Sequence, residues 1–239
     1  MTTKIDSAAL AASLRRLQQD RAPEVLEQSL QQLVTACVEL FGVDGSGVML
    51  ADEGGDLRYA VATDPTSKEL EDAQLATGEG PCVDTYINDE PTLSPDIYSD
   101  DRWQRLTERL AHRRVRGVLG VPVKLSGVTV GSLDVFRDGR DEWDESEQQA
   151  LSRYAEIGGA LLTAAVAAEQ SSELAAQLTY AIQHRAPIER GVGYLMARDR
   201  IGQIDAFNRL RSAARDNRRK IGEVARELLS TGRLPGERR

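Results

Sequence analysis

Gly117-Val118-Leu119-Gly120-Val121-Pro122-Val123-Lys124-Leu125-Ser126-Gly127-Val128-Thr129-Val130-Gly131-Ser132-Leu133-Asp134-Val135-Phe136 is two apolar, Val-rich runs on either side of Ser126-Gly127. A short Gly-containing turn between two such runs predicts a β-hairpin. Upstream, Gly47-Val48-Met49-Leu50 and Leu57-Arg58-Tyr59-Ala60-Val61 flank Asp52-Glu53-Gly54-Gly55-Asp56, a second hairpin signal. Two hairpins predict a mainly antiparallel sheet. Helices are expected before it. Leu10, Leu14 and Leu17, then Val25, Leu26, Leu30, Leu33, Val34, Cys37 and Leu40, recur at helical spacing, with Pro23 suited to the first turn of the second helix. From Glu145 onward Ala150, Tyr154, Ile157, Leu161, Ala164, Ala168, Ser171, Ala175, Leu178 and Ile182 alternate spacings of four and three, which predicts a coiled coil. A further helix is expected near Lys68 to Ala76. Residues 77–101, rich in Gly, Pro and Asp, are expected to form an irregular binding loop.

Charge divides the chain. Residues 182–239 hold 14 Lys and Arg against 7 Asp and Glu, net +7, while the remainder holds 16 against 31, net −15, within a total of −8. A polyanion is attracted by the first body and repelled by the second. At 239 residues the chain has room for one domain of about 150 residues and a smaller unit. Cys37 and Cys82 form no disulfide pattern, and the start of the chain lacks a signal-like apolar core, so a cytoplasmic location is expected. The most apolar run, residues 157–168, is shorter than the roughly 17 to 25 residues of a bilayer span. With only His112 and His184 and no Cys/His cluster at ligand spacing, no metal site is expected.

Helix, hairpin, loop, Gly78-Glu79-Gly80-Pro81-Cys82, Pro95-Asp96, Asp101-Arg102-Trp103 and the Gly117–Val135 hairpin occur in an order that resembles the GAF family of small-molecule sensor domains over about residues 22–168. The resemblance implies an antiparallel sheet backed by helices, with a ligand pocket under the variable loops. Gly80, Pro81, Cys82, Asp96, Trp103, Val121 and Asp134 are the pocket candidates it implies. Family ligands include cyclic nucleotides, haem and tetrapyrroles; the sequence itself requires no cofactor, so the effector is unknown. Read as residues alone, Gly78 and Gly80 shape a loop, Cys82 is a small buried side chain, and Asp96 with Arg102 forms a structural pair over Trp103. No nucleophile, base and orienting group assemble, so the domain reads as a sensor and not an enzyme.

The C-terminal string is similar to the ANTAR family, an RNA-binding antitermination module of three helices after a coiled coil. Arg185, Ile188-Glu189, Gly193, Leu195-Met196, Ala206-Phe207, Leu210-Arg211, Ala214, Asn217-Arg218, Lys220-Ile221 and Val224-Ala225 carry the resemblance. The family usually has Ala-Lys-Gly before Leu-Met, where this chain has Gly191-Val192-Gly193. Two glycines weaken a helix by roughly 1 kcal/mol each relative to Ala, and Pro187 is expected to kink or break it. Ile188, Val192 and Leu195, then Ile204, Phe207 and Leu210, then Ile221, Val224 and Leu228 predict three short helices around one small core. Asn217 is the expected N-cap of the last helix and Gly232 its stop. The RNA-binding candidates are Arg190, Ala206, Phe207, Arg211, Ala214, Arg215, Asn217, Arg218, Arg219 and Lys220, with Phe207 also readable as core.

The expected architecture is therefore an α+β GAF-type domain joined by a coiled-coil helix to an all-α three-helix module. The expected divisions are an N-terminal helix (1–21), the GAF domain (22–144), its terminal helix with the coiled coil (145–183) and the ANTAR module (184–239). The resemblances imply a transcription antitermination regulator that senses a small molecule, dimerises through its coiled coil and binds paired hairpins in nascent RNA. A DNA-binding factor is the rival reading, since Gly222-Glu223-Val224-Ala225-Arg226-Glu227-Leu228 looks like half of a helix-turn-helix, but too little chain follows for a recognition helix. A GAF-type methionine sulfoxide reductase is the third reading, and two cysteines from different segments match it poorly.

Overall fold

The computed structural model describes residues 4–19, 26–111, 113–168 and 173–237. Pro23, Val25, His112 and Ser171 lie outside them, as do the side chains of Ala168 and Ala175. Helices α1 (Ser7–Gln19) and α2 (Leu26–Phe41) precede the strands β1 (Gly45–Ala51) and β2 (Leu57–Ala62). Then come α3 (Pro65–Thr77), α4 (Pro81–Asn88), β3 (Thr92–Ser94), two 3-10 turns and α5 (Gln104–Arg109). The hairpin β4 (Gly117–Leu125) and β5 (Val128–Arg137) leads into α6 (Glu145–Ala168), α7 (Glu173–Asp199), α8 (Gln203–Asp216) and α9 (Ile221–Thr231).

Both predicted hairpins form, and the five strands make one antiparallel sheet in the order β2-β1-β5-β4-β3. Ser126 and Gly127 take positive φ, 52° and 80°, as a two-residue hairpin turn requires. Alternation along the strands sends successive side chains to opposite faces. Val48, Leu50, Leu119, Val121 and Leu133 join one core with Leu33, Val34 and Cys37 of α2 and Leu151, Tyr154 and Leu162 of α6. Met49, Ala51 and Leu57 belong to a second core with residues of α4 and of the C-terminal helices.

The segment expected to be an irregular loop contains a helix. Pro81 supplies a pre-set φ at the start of α4, and Asp89 closes it at φ 59°. Part of the heptad seam packs within the chain, while Ala164 stands exposed. Ala150, Tyr154 and Ile157 are buried in the α2–sheet core, and Leu178 and Ala181 of α7 reach the same core. Thr163, Val166 and Ala167 of α6 line one groove with Ala176, Thr179 and Tyr180 of α7, so the two helices lie side by side.

Pro187 does not break α7, which is helical from Glu173 to Asp199. The helix is anchored on both sides of the proline, by Leu178 and Ala181 in the first core and by Ile188, Val192 and Leu195 in the second. The three-helix core forms as its spacing predicts, with Leu195, Leu210, Val224 and Leu228 fully buried. Gly232 ends α9 at φ 74°, while Asn217 caps the C-terminus of α8 and not the start of α9, where Lys220 stands.

The two glycines of α7 differ. A Cβ on Gly191 would lie 3.3 Å from the Cβ of Ala225, so its smallness lets α7 and α9 approach closely. A Cβ on Gly193 would meet nothing within 4 Å. Gly193→Ala is therefore expected to raise stability by about 1 kcal/mol in urea denaturation, with a smaller gain or a loss for Gly191→Ala. Equal gains at both positions would contradict this packing.

Candidate nucleic-acid interface and buried sensor core

The second core joins the two halves of the chain. α4 exposes Val83, Tyr86 and Ile87, at helical spacing, to Phe207 and its neighbours. The rings of Tyr86 and Phe207 meet edge to face at 5.9 Å and 84°. The last carbonyls of α4, which have no partner within the helix, accept from outside it. Arg185 donates to the carbonyls of Tyr86 (3.2 Å) and Ile87 (3.4 Å), and Gln203 donates to that of Ile87 (3.0 Å). The Arg185 guanidinium also lies 5.1 Å from the Tyr86 ring centroid.

Around this apolar contact runs a ring of charge. Asp56 forms an ion pair with Arg211 at 3.2 Å and accepts from Arg215 at 2.8 Å, and Glu53 pairs with Lys220 at 2.6 Å. The Glu53 carbonyl accepts from the Ile221 N–H at 3.2 Å. Arg211 is 8 % exposed and lies against Gly78, where a Cβ would overlap its guanidinium. Its Nε is buried with no acceptor, and burial lowers its pKa.

The RNA-binding candidates thus divide. Phe207, Arg211, Arg215 and Lys220 are engaged by α4 and the β1–β2 turn. Ala206 and Ala214 are buried in the same core. Arg219 pairs with Glu227 and with Glu223 at 3.7 Å. Asn217 donates to the Ala213 carbonyl, Arg190 to the Ala186 carbonyl, and Arg190 and Arg218 stand exposed. The acidic turn that meets this face was legible in the sequence only as a hairpin; its opposite charge to the C-terminus was the available signal.

The pocket candidates also divide. Cys82 and Asp134 come together with Glu71, which sequence reading missed: one ligand atom of each lies within 4.8 Å of those of the others. The Cys82 thiol donates to Glu71 Oε2 at 3.2 Å, and Gln74 Nε2 donates to the same oxygen at 3.1 Å. Gly80 caps α4 at φ 134°, its lack of a Cβ leaves room for the Gln74 side chain, and Pro81 follows it. Burial pushes the Cys82 thiol and Glu71 carboxyl well up and Asp134 to about 7. Val121 points the other way. Gly120 pairs with Asp134 and Val121 with Leu133, so the pleat places Val121 in the α2–α6 core.

Asp96 and Trp103 lie elsewhere, Trp103 in a third core with Leu70, Ile97 and Leu106. Asp96 pairs with Arg116 at 2.8 Å, whereas Arg102 pairs with Asp100 at 2.6 Å, so the expected Asp96–Arg102 pair does not form. The Arg102 guanidinium does cover Trp103, 4.2 Å from the ring centroid.

The GAF domain family matches residues 25–161, more than half of the chain. This chain belongs to the GAF domain family. The ANTAR domain matches residues 176–229, so the chain carries a GAF domain followed by an ANTAR domain. This composition is that of a regulator. Solved structures agree on the fold. The GAF domain of a phosphoenolpyruvate-protein phosphotransferase from Coxiella burnetii is 21 % identical, with a TM-score of 0.57 over 69 % of this chain and 99 % of that one. A free methionine-R-sulfoxide reductase from Neisseria meningitidis, in complex with its substrate, is 20 % identical, with a TM-score of 0.54 over 67 % and 89 %. At such identities the likeness shows the fold alone. No curated protein matches the chain. Among the described residues, no helix is long and apolar enough to cross a membrane.

Asp84 tests the electrostatics of the GAF core. It accepts from the Trp103 indole at 2.9 Å, and burial raises its pKa from 3.8 to about 6, against the lowering effects of Trp103 and Arg102. The folded state therefore binds this proton more tightly, a contribution fully present below about pH 4 and lost as pH rises through about 6. Asp84→Asn keeps the acceptor and removes the charge. Relative to wild type it is expected to be more stable at pH 7 than at pH 4 in urea denaturation; the same difference at both pH values would refute the assignment.

Proposed function

We propose that this protein is an RNA-binding antitermination regulator whose GAF domain covers the RNA-binding face of its ANTAR domain in the closed state. The observation that carries the reading is the pairing of Arg211 and Arg215 with Asp56 and of Lys220 with Glu53. These basic groups, with exposed Arg218, supply the planar and point-charge contacts that RNA phosphates and unpaired bases accept. In the open state they exchange the acidic turn for RNA. The unpaired Nε of buried Arg211 supports the exchange, since a buried donor without an acceptor costs about 1–3 kcal/mol.

Dimerisation belongs to the open state. Leu178 and Ile182 of the heptad seam lie in or against the GAF core, so a coiled coil through them requires α7 to leave it. Two ANTAR domains on one dimer then engage two RNA hairpins, each raising the effective concentration of the other. The small-molecule effector acts on the closed-to-open balance.

The test measures binding to a dual-hairpin RNA at fixed salt for wild type, a Glu53→Gln, Asp56→Asn double variant, and the same variant carrying Arg211→Ala and Arg215→Ala. Removing the acidic partners is expected to shift the closed-to-open balance by about 1–3 kcal/mol and to tighten binding roughly five- to hundredfold. The arginine substitutions are expected to abolish that gain. Equal affinities for wild type and the Glu53/Asp56 variant would sink the closed state, and no RNA binding by either would sink the RNA reading. Light scattering is expected to show more dimer in the Glu53/Asp56 variant.

A further inference from the structure

The buried cluster beneath α3 and α4 is closed off from solvent. Glu71 is 1 % exposed, Cys82 fully buried and Asp134 4 % exposed. Among the described residues, neither carboxylate has an ion-pair partner. Two carboxyls in a low-dielectric site without a cation are costly when ionised, and the ordinary remedies are protons or a metal ion.

Three features favour a metal ion. First, the spacing suits one. Cys82 Sγ and Glu71 Oε2, hydrogen-bonded at 3.2 Å, need part by only about 0.4 Å to reach the about 3.6 Å that separates donors about 2.3 Å (thiolate) and about 2.1 Å (carboxylate) from a tetrahedral ion. Second, two polar atoms at the cluster lack hydrogen-bond partners. Asp134 Oδ1 and Thr85 Oγ1 are both buried and unpaired, and both border the space above Gly120. Third, glycines on the strands either side of Asp134 leave room for the two carboxylates to converge. A Cβ on Gly47 would lie 2.6 Å from Glu71 Oε1, and a Cβ on Gly120 would overlap Asp134 Oδ1 and approach Thr85 Oγ1 to 3.0 Å.

We propose that Glu71, Cys82 and Asp134 hold a divalent transition-metal ion of the zinc or iron(II) class, with Thr85 at its side. The thiolate selects against magnesium and calcium, which take oxygen donors. On binding, the Cys82 thiol and any protonated carboxyl lose their protons to solvent, and the ion takes their place. Gln74, which now donates to Glu71 and Cys82, stands where the positive charge would be felt.

This site stands independently of the RNA reading, and its test uses no RNA. The full chain, stripped with chelator, is equilibrated with cobalt(II) and separately with zinc(II). One cobalt(II) per chain is expected, with a thiolate-to-cobalt charge-transfer band and displacement by zinc(II). Cys82→Ser is expected to lose the band and Cys37→Ser to keep it. Glu71→Gln and Asp134→Asn are each expected to weaken binding by at least about tenfold. If Cys82→Ser fails to fold, alkylation of the Cys37→Ser protein replaces it, with zinc(II) expected to protect the remaining thiol. Absence of the band in wild type, a band that survives Cys82→Ser, or no protection would overturn the site.

Discussion

The eight-residue helix α4 is the point on which both halves of the molecule bear. Its 3.6-residue period gives it two working faces. Cys82 and Thr85 face the polar side of the sheet, where Gly120 and Asp134 lie. Val83, Tyr86 and Ile87 face the C-terminal helices. Its terminal carbonyls, carrying the negative end of the helix dipole, take Arg185 and Gln203. α4 is therefore in direct contact with both the sheet and the ANTAR domain.

Charge then decides orientation, while apolar area supplies the larger share of the attraction. Exposed ion pairs contribute roughly 0.2–1 kcal/mol each, whereas burying a large aliphatic or aromatic side chain contributes about 1.5–3 kcal/mol. The contact of Phe207 with Tyr86 thus holds the ANTAR domain, and Glu53 and Asp56 fix which of its faces is held. An acidic sensor and a basic effector domain on one chain need such fixing, because their net charges would attract in many orientations.

Much of this was readable from the amino acids. Alternation and turn chemistry identified both hairpins, and the spacing of Ile188, Phe207, Ile221 and their neighbours identified the ANTAR core, because these signals are local. What escaped was non-local. Nothing near Asp56 in sequence announces Arg211 and Arg215, and Glu71 meets Asp134 only because α3 packs over β1 and β2 and Asp134 of β5 pairs with Gly47 of β1. The seam of α6 and α7 is open for a related reason: a heptad stripe specifies an apolar surface but not whether a second chain or the chain's own sheet covers it, and here Ala150, Tyr154, Ile157 and Leu178 are covered by the chain while Ala164 is exposed. Pro187 was overruled by tertiary packing on both sides.

The continuity of α7 has a mechanical meaning. One helix contributes Leu178 and Ala181 to the core of the sensor and Ile188, Val192 and Leu195 to the core of the effector. It cannot bend partway to free the RNA face without pulling at both. Undocking must draw Leu178 and Ala181 out together with Phe207, so intermediate positions lose burial at one end before anything is gained at the other. On the opening proposed above, such a joint would act as a latch and not as a spring, and a population of these molecules would answer a rising signal by the fraction that is open, each molecule being wholly in one state.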